Sequence, residues 1–188
     1  MKTSMIAARV LAVAAAVLAV GCANNTNVRL DPTYEEAAGS QFIVANRAAI
    51  DRLVGSLDRN MIGEGPVLVA TVVNVNDLSR TTPLGRTLSE QYASQLVANR
   101  FHVRELKLRG DVFVKEGTGE LLLSREIKDI AKTHSAVYVV VGTYSAAANL
   151  TFVSLKMLRT EDGRIVNGVD YALPNDRDVQ KLLQAPRS

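Results

Sequence analysis

Tryptophan is absent from this chain, cysteine occurs once, histidine twice, and phenylalanine, tyrosine and tryptophan together make up 5% of it. So few aromatics argue against a platform that stacks nucleic-acid bases or sugars. His102 and His134 are the only side chains with an ordinary pKa near neutrality, and no His-x-x-x-His or paired histidine–carboxylate spacing suggests a metal site. No Gly-x-Ser-x-Gly elbow is present. Charge of one sign is also lacking. Lys and Arg number 22 against 19 Asp and Glu, and the formal +3 is spread along the chain, unlike the clustered basic excess of a nucleic-acid surface. No apolar run reaches the roughly 20 residues that a membrane-spanning helix needs. The longest, from Val10 to Gly21, has 12.

That short run is informative because of what surrounds it. Lys2 and Arg9 form a basic start, the apolar stretch follows, and small residues lead to Cys22. These are the parts of a secretory signal. Ala19-Val20-Gly21-Cys22 resembles the lipobox of bacterial lipoproteins, with Leu18 one place before the usual leucine position. The competing reading is a buried N-terminal helix with an incidental cysteine. On the lipoprotein reading, residues 1–21 are removed and Cys22 is acylated. Anchoring then follows from two or more acyl chains, each buried CH2 contributing about 0.8 kcal/mol. Ala23 is not the Asp that would resemble an inner-membrane retention signal, which favours the outer membrane. Lys2 and Arg9 leave with the leader, so the mature 167 residues carry about +1. With its thiol acylated, the mature chain has no cysteine for a disulfide, a metal or nucleophilic attack.

Residues 22–39 are polar and broken by Asn24, Asn25, Asn27 and Pro32, and read as a tether. A domain is expected over 40–175 and a tail, with room for a short helix around Val179, Leu182 and Leu183, over 176–188. From Ser40 to Met61, Ile43, Ile50, Leu53, Val54, Leu57 and Met61 recur at helical spacing, with Asn46, Arg47, Asp51 and Arg52 assigned to the solvent face. Residues 67–73 are a nearly unbroken apolar run, which predicts a strand covered on both faces. Thr82-Pro83 reads as a helix start, with Leu84, Leu88, Tyr92 and Leu96 on one stripe of a helix to about Arg100. A strand over 101–108 is expected to slip at Leu106 and Leu108, as a bulge would. A small hairpin about Gly117-Thr118-Gly119 comes next, then a helix from Ser124 to about Thr133 that buries Ile127, Ile130 and Ala131. The most apolar strand, Ala136–Tyr144 with its run Val137–Val141, belongs at the sheet centre. Asp162-Gly163 joins the last two strands as a hairpin. The order predicts a two-layer α/β sandwich: a mixed sheet of about five strands, antiparallel at its C-terminal end, with three helices mainly on one face.

Candidate chemistry is sparse. His102 faces away from Phe101 and Val103 in a strand. His134 lies at a helix end, where the dipole favours a cation. Gly117-Thr118-Gly119 lacks the third glycine and the strand–helix context of a nucleotide loop, and Arg125-Glu126-x-Lys128-Asp129 reads as a solvated helix face. One loop stands out. Asn74, Asn76, Asp77, Arg80, Thr82 and Arg86 lie between the carboxyl end of a strand and a helix start, where open α/β sheets bind ligands or partners. The same residue types are ordinary turn and cap formers. Both readings stand at this point.

The segment "VATVVNVNDLSRTTPLGRTLSEQYASQLVANRFHVRELKLR", then "GELLLSREIKDIAKTHSAVYVVVGTY", then the late "EDGRIV", resembles the FlgO domain of bacterial flagellar outer-membrane lipoproteins over roughly Phe42 to Pro174. A looser likeness is to the TolB N-terminal domain and to the curli-secretion lipoprotein CsgG. The resemblance implies a non-enzymatic protein at the outer membrane, its domain facing the periplasm, with partners in the flagellar basal body or envelope and no cofactor. Self-association into a homo-oligomer is compatible with that role. The competing expectation is an envelope-assembly or secretion accessory. Strands of about eight residues, needed for the domain core, leave none to form a pore from this chain alone. An enzyme would require turnover that depends on Asp77 or Arg80.

Overall fold

The structure is a computed structural model and describes residues 32–57, 65–78, 82–105, 129 and 131–184. The chain divides after Thr33 into two units, and the described helices and strands belong to the second, Tyr34–Ser188. The leader, Cys22, Arg80, the glycine hairpin and most of the helix expected from Ser124 lie outside the described residues.

Two helices come first: α1, Tyr34–Ala38, and α2, Gln41–Gly55. The first falls in the segment read as a tether. Glu35 and Glu36 favour its N-terminal turn, the alanines are strong helix formers, and Gly39 ends it. In α2 the Ser40 side chain accepts from the Ile43 N–H at 3.4 Å, and Ala49, Ile50, Leu53 and Val54 are buried. The helix ends at Gly55, earlier than the expected Met61. Asn167 of a distant strand donates to the Leu53 carbonyl and, at 2.7 Å, to Ser56 Oγ, so a side chain closes its last turn.

The remaining elements are β1 Val67–Val69, β2 Val73–Asn74, α3 Pro83–Ala98, β3 Val103–Glu105, β4 Tyr138–Ala146, β5 Leu150–Arg159, β6 Ile165–Pro174 and α4 Arg177–Leu183. The sheet has six strands in the order β3-β1-β4-β5-β6, with β2 continuing beside β4. β1, β2 and β3 run parallel to the strands they pair with, and β5 and β6 are antiparallel. The expected mixed α/β sandwich is therefore borne out, with β4 central.

The apolar run 67–73 differs in one respect. Four residue steps from Val69 to Val73 face three from Val140 to Thr143, so the strand bulges between β1 and β2. The Val72 N–H there leaves the ladder and donates to Ser89 Oγ of α3 at 2.8 Å. A second irregularity lies between Met157 and Leu158. The slip expected at Leu106 and Leu108 lies outside the described residues.

Alternation in β1 sorts the core into two. Val67 and Val69 join Ile50, Leu53, Leu84, Leu88, Tyr92, Leu96, Leu155, Met157 and Leu173 under α2 and α3. Leu68 and Ala70 face the other side, with Val139, Val141, Leu158 and Ala131. Each large side chain fully buried contributes roughly 1.5–3 kcal/mol. α4, capped by Asp176, sets Val179 into the interior and packs Leu182 and Leu183 against the larger cluster. The domain packing thus continues through the segment read as a tail. α3 and the turn of helix at 131–133 end alike. Arg100 (φ 65°) and Ser135 (φ 51°) take the left-handed conformation, while Phe101 N–H reaches Leu96 O and Ala136 N–H reaches Ala131 O. The two closures feed β3 and β4 into the sheet.

Candidate functional site

The loop from Asn74 to Arg86 lies at the carboxyl end of the β1–β2 strand, as the sequence places it, and local structure accounts for much of its polarity. Asn74 Oδ1 accepts from the Asn76 N–H at 2.8 Å, and its carbonyl accepts from the Asp77 N–H at 3.1 Å. This is a tight Asx-type turn. Thr82 caps α3, its Oγ1 accepting from the Gly85 N–H at 3.1 Å, and pairs at 2.8 Å with the hydroxyl of buried Tyr144. Asp77 and Arg86 are also engaged in interactions. Among the residues singled out from sequence, Asn74, Asn76 and Thr82 therefore serve turn and cap.

Thr82→Ala is expected to remove the cap and strand the Tyr144 phenol. The cost is about 2 kcal/mol, seen as a melting temperature lower by about 5 °C. Thr82→Ser should restore most of it.

Behind the loop, α3 sits close on the strand bulge. Ser89 Oγ accepts from the Val72 N–H and donates to Gly85 O at 2.8 Å, with Ala70 O more distant at 3.3 Å. A Cβ on Gly85 would lie 2.0 Å from Val72 O.

A second polar assembly was not legible as such. Asn46, assigned to the solvent face of α2, is 1% exposed. Its Nδ2 donates to Gln91 Oε1 at 2.6 Å, and its Oδ1 accepts from the Tyr171 hydroxyl at 2.6 Å. Tyr171 pairs in turn with the Tyr92 hydroxyl. Burial pushes both phenols up, Tyr92 well above its ordinary value. Its neighbour Tyr171 adds to the rise, while the hydrogen bond from Tyr92 and the charge of Arg52 partly oppose the rise at Tyr171. The signal was present: Asn46, Ala49, Ile50 and Leu53 fall on one helical stripe. His134 Nδ1 lies 3.1 Å from the Arg104 guanidinium.

The third feature is a groove of about 500 Å³ on the sheet face away from α2 and α3, lined by Val75, Thr143, Ser145, Phe152, Ser154, Asp170 and Ala172 among others. Phe152 and Val75 are 52% and 50% exposed. The sequence did not suggest it, although Phe152 stands out of phase with the buried Thr151, Val153 and Leu155. Among the described residues no three of His, Cys, Asp and Glu group to hold a metal, and no helix is long and apolar enough to cross a membrane.

These features define an α/β sandwich domain with a polar loop tied into its own fold and an open groove beside it. The chain belongs to the FlgO family: the family profile described as "FlgO protein" matches residues 47–178. The domain is also similar to the LpoB C-terminal domain from Escherichia coli, at 16% identity and a TM-score of 0.50, covering 71% of this chain and 98% of that one. The LpoB C-terminal domain from Salmonella enterica matches at 15% identity and a TM-score of 0.48 over the same shares. The PelC dodecamer from Paraburkholderia phytofirmans matches at 15% identity and a TM-score of 0.42, over 60% of this chain and 74% of that one. At these identities the likeness concerns the fold. No curated protein matches the sequence significantly.

Proposed function

We propose that this protein is a lipid-anchored outer-membrane protein that supports flagellar assembly or stability, and hence motility, through protein–protein contacts and without catalysis. The observation that carries this reading is the family match over residues 47–178. The leader and Cys22 support the anchoring part, since the cysteine follows a basic start, an apolar run and small residues. The contact part is supported by the exposed groove on the second sheet face, where Phe152 and Val75 are half exposed.

The test separates anchor from process. Cys22→Ala is expected to shift the protein from the outer-membrane fraction to the soluble envelope fraction, and unchanged fractionation would overturn the anchoring. Deletion of the gene is expected to reduce swimming and flagellar number, restored by the wild-type chain but not by Cys22→Ala. Normal motility together with a weakened envelope would replace the flagellar part with an envelope-assembly role.

A further inference from the structure

We propose that the open end of the second sheet face is a docking groove for an extended segment of a partner protein, carrying an apolar side chain and, two residues along, a lysine or arginine. The inference rests on the reading of this protein as one that works through protein contacts.

The face changes character along its length. At one end Val139, Val141 and Leu158 are covered by Ala131 and Leu78. At the other, the same face carries two cross-strand rows in which Phe152, Asp170 and Ala172 are exposed and Thr143, Ser145 and Ser154 half-buried. Strand pairing sets Ser145, Phe152 and Ala172 side by side in one row and Thr143, Ser154 and Asp170 in the next. The first row is apolar at its centre, and Val75 extends it from the turn after β2. The second carries hydroxyls and ends on the carboxylate of Asp170, the only charged side chain among the described residues of the lining. Lys156, further along β5, is not part of that lining.

The spacing gives the motif. Successive rows on one sheet face are two residues apart, roughly 6.6 Å, which is also the repeat of same-side side chains in an extended peptide. A segment running along β5 and β6 therefore places one side chain over Phe152 and Ala172 and the next same-side residue over Asp170. Burial of the exposed phenyl ring supplies affinity. The carboxylate supplies charge complementarity and register. A second copy of this chain fits poorly, because a face-to-face contact either opposes two Asp170 carboxylates or buries them against Phe152.

The probes are fluorescent peptides added to the lipidated full-length protein in lipid nanodiscs, with anisotropy as readout. One peptide carries Leu-Thr-Arg in a Ser/Thr background, the second Leu-Thr-Glu, and the third Leu-Thr-Thr-Arg, which breaks the spacing. The first is expected to bind about ten-fold tighter than the other two. Asp170→Lys is expected to invert the preference between the first two, and Phe152→Ser to weaken binding of the first by about ten-fold. Val75→Ser, in the turn rather than the sheet, should give a loss in the same direction without depending on sheet stability. Equal binding of the three peptides, an unchanged preference in Asp170→Lys, or full affinity in both Phe152→Ser and Val75→Ser would overturn the proposal. Fractionation and swimming do not enter this measurement, so its failure is distinguishable from failure of the functional reading.

Discussion

Gly85→Ala is expected to lower stability by about 4 kcal/mol, a loss out of scale with the single methyl added. Gly85 is the third residue of α3, and its Cβ would stand 2.0 Å from the Val72 carbonyl oxygen. Neither side yields cheaply. The carbonyl belongs to the bulge between β1 and β2, and the helix is held down by Leu84 and Leu88, both fully buried. Withdrawing α3 far enough to admit the methyl would also pull Ser89 Oγ from the Val72 N–H, leaving a buried donor unpaired. An overpacking cost of about 3 kcal/mol and an orphan-donor cost of at least about 1 kcal/mol combine here. The result should be a melting temperature lower by about 10 °C. The same substitution at Gly55 is the control. Nothing lies within 4 Å of a Cβ there, and it occupies the last turn of α2. Gly55→Ala should raise stability by about 0.5 kcal/mol through helix propensity and a less flexible unfolded chain. If the two variants melt together, the close approach of α3 to the bulge is wrong.

What was legible in the sequence is what depends on neighbours within a turn or two. Leu84, Leu88, Tyr92 and Leu96 read as one stripe because 3.6-residue spacing needs no knowledge of the partner, and all four are fully buried. Thr82-Pro83 read as a helix start for the same reason, and Asp162-Gly163 as a hairpin: Gly163 has φ 75°, and Asp162 accepts two bonds from Arg159. What escaped depends on a distant residue. Asn46 looks solvent-facing by type, and the hydroxyl that satisfies it lies 125 residues further on. The break in the first strand has its cause in Ser89, 17 residues away on a helix. The candidate loop lies at the end of a parallel strand as read, and three of the residues that made it look like a site, Asn74, Asn76 and Thr82, serve its turn and cap. The groove beside it uses Phe152, whose exposure follows from which stretch of a sheet face has no covering helix among the described residues. Periodicity along β5 cannot report that.

The buried tyrosines give a second large expected result: stability should fall steeply above pH 10, and Tyr171→Phe should cost about 3 kcal/mol even at neutral pH. Proton count fixes the direction of the chain. Each phenol has one proton, and that of Tyr171 is donated to Asn46 Oδ1, so Tyr92 donates to Tyr171. The relay then runs from Tyr92 through Tyr171 and Asn46 to Gln91, joining α3, β6 and α2. Both phenols have folded pKa values raised above the ordinary 10.0, chiefly by burial. Above pH 10 the unfolded chain releases these protons while the folded chain retains them. Proton release then favours unfolding, by about 1.4 kcal/mol per pH unit for each tyrosine. The contribution is fully present below pH 10 and is lost as pH rises toward the folded values. The relay also predicts unequal variants. Tyr171→Phe leaves Asn46 Oδ1 without its donor and Tyr92 without its acceptor, whereas Tyr92→Phe removes only a donor to Tyr171. Urea midpoints at pH 7 should therefore rank Tyr171→Phe below Tyr92→Phe, and each variant should lose one tyrosine's share of the alkaline slope. Equal costs would mean that the donor order is wrong, and an unchanged slope would mean that these phenols ionise as freely in the folded protein as in the unfolded chain.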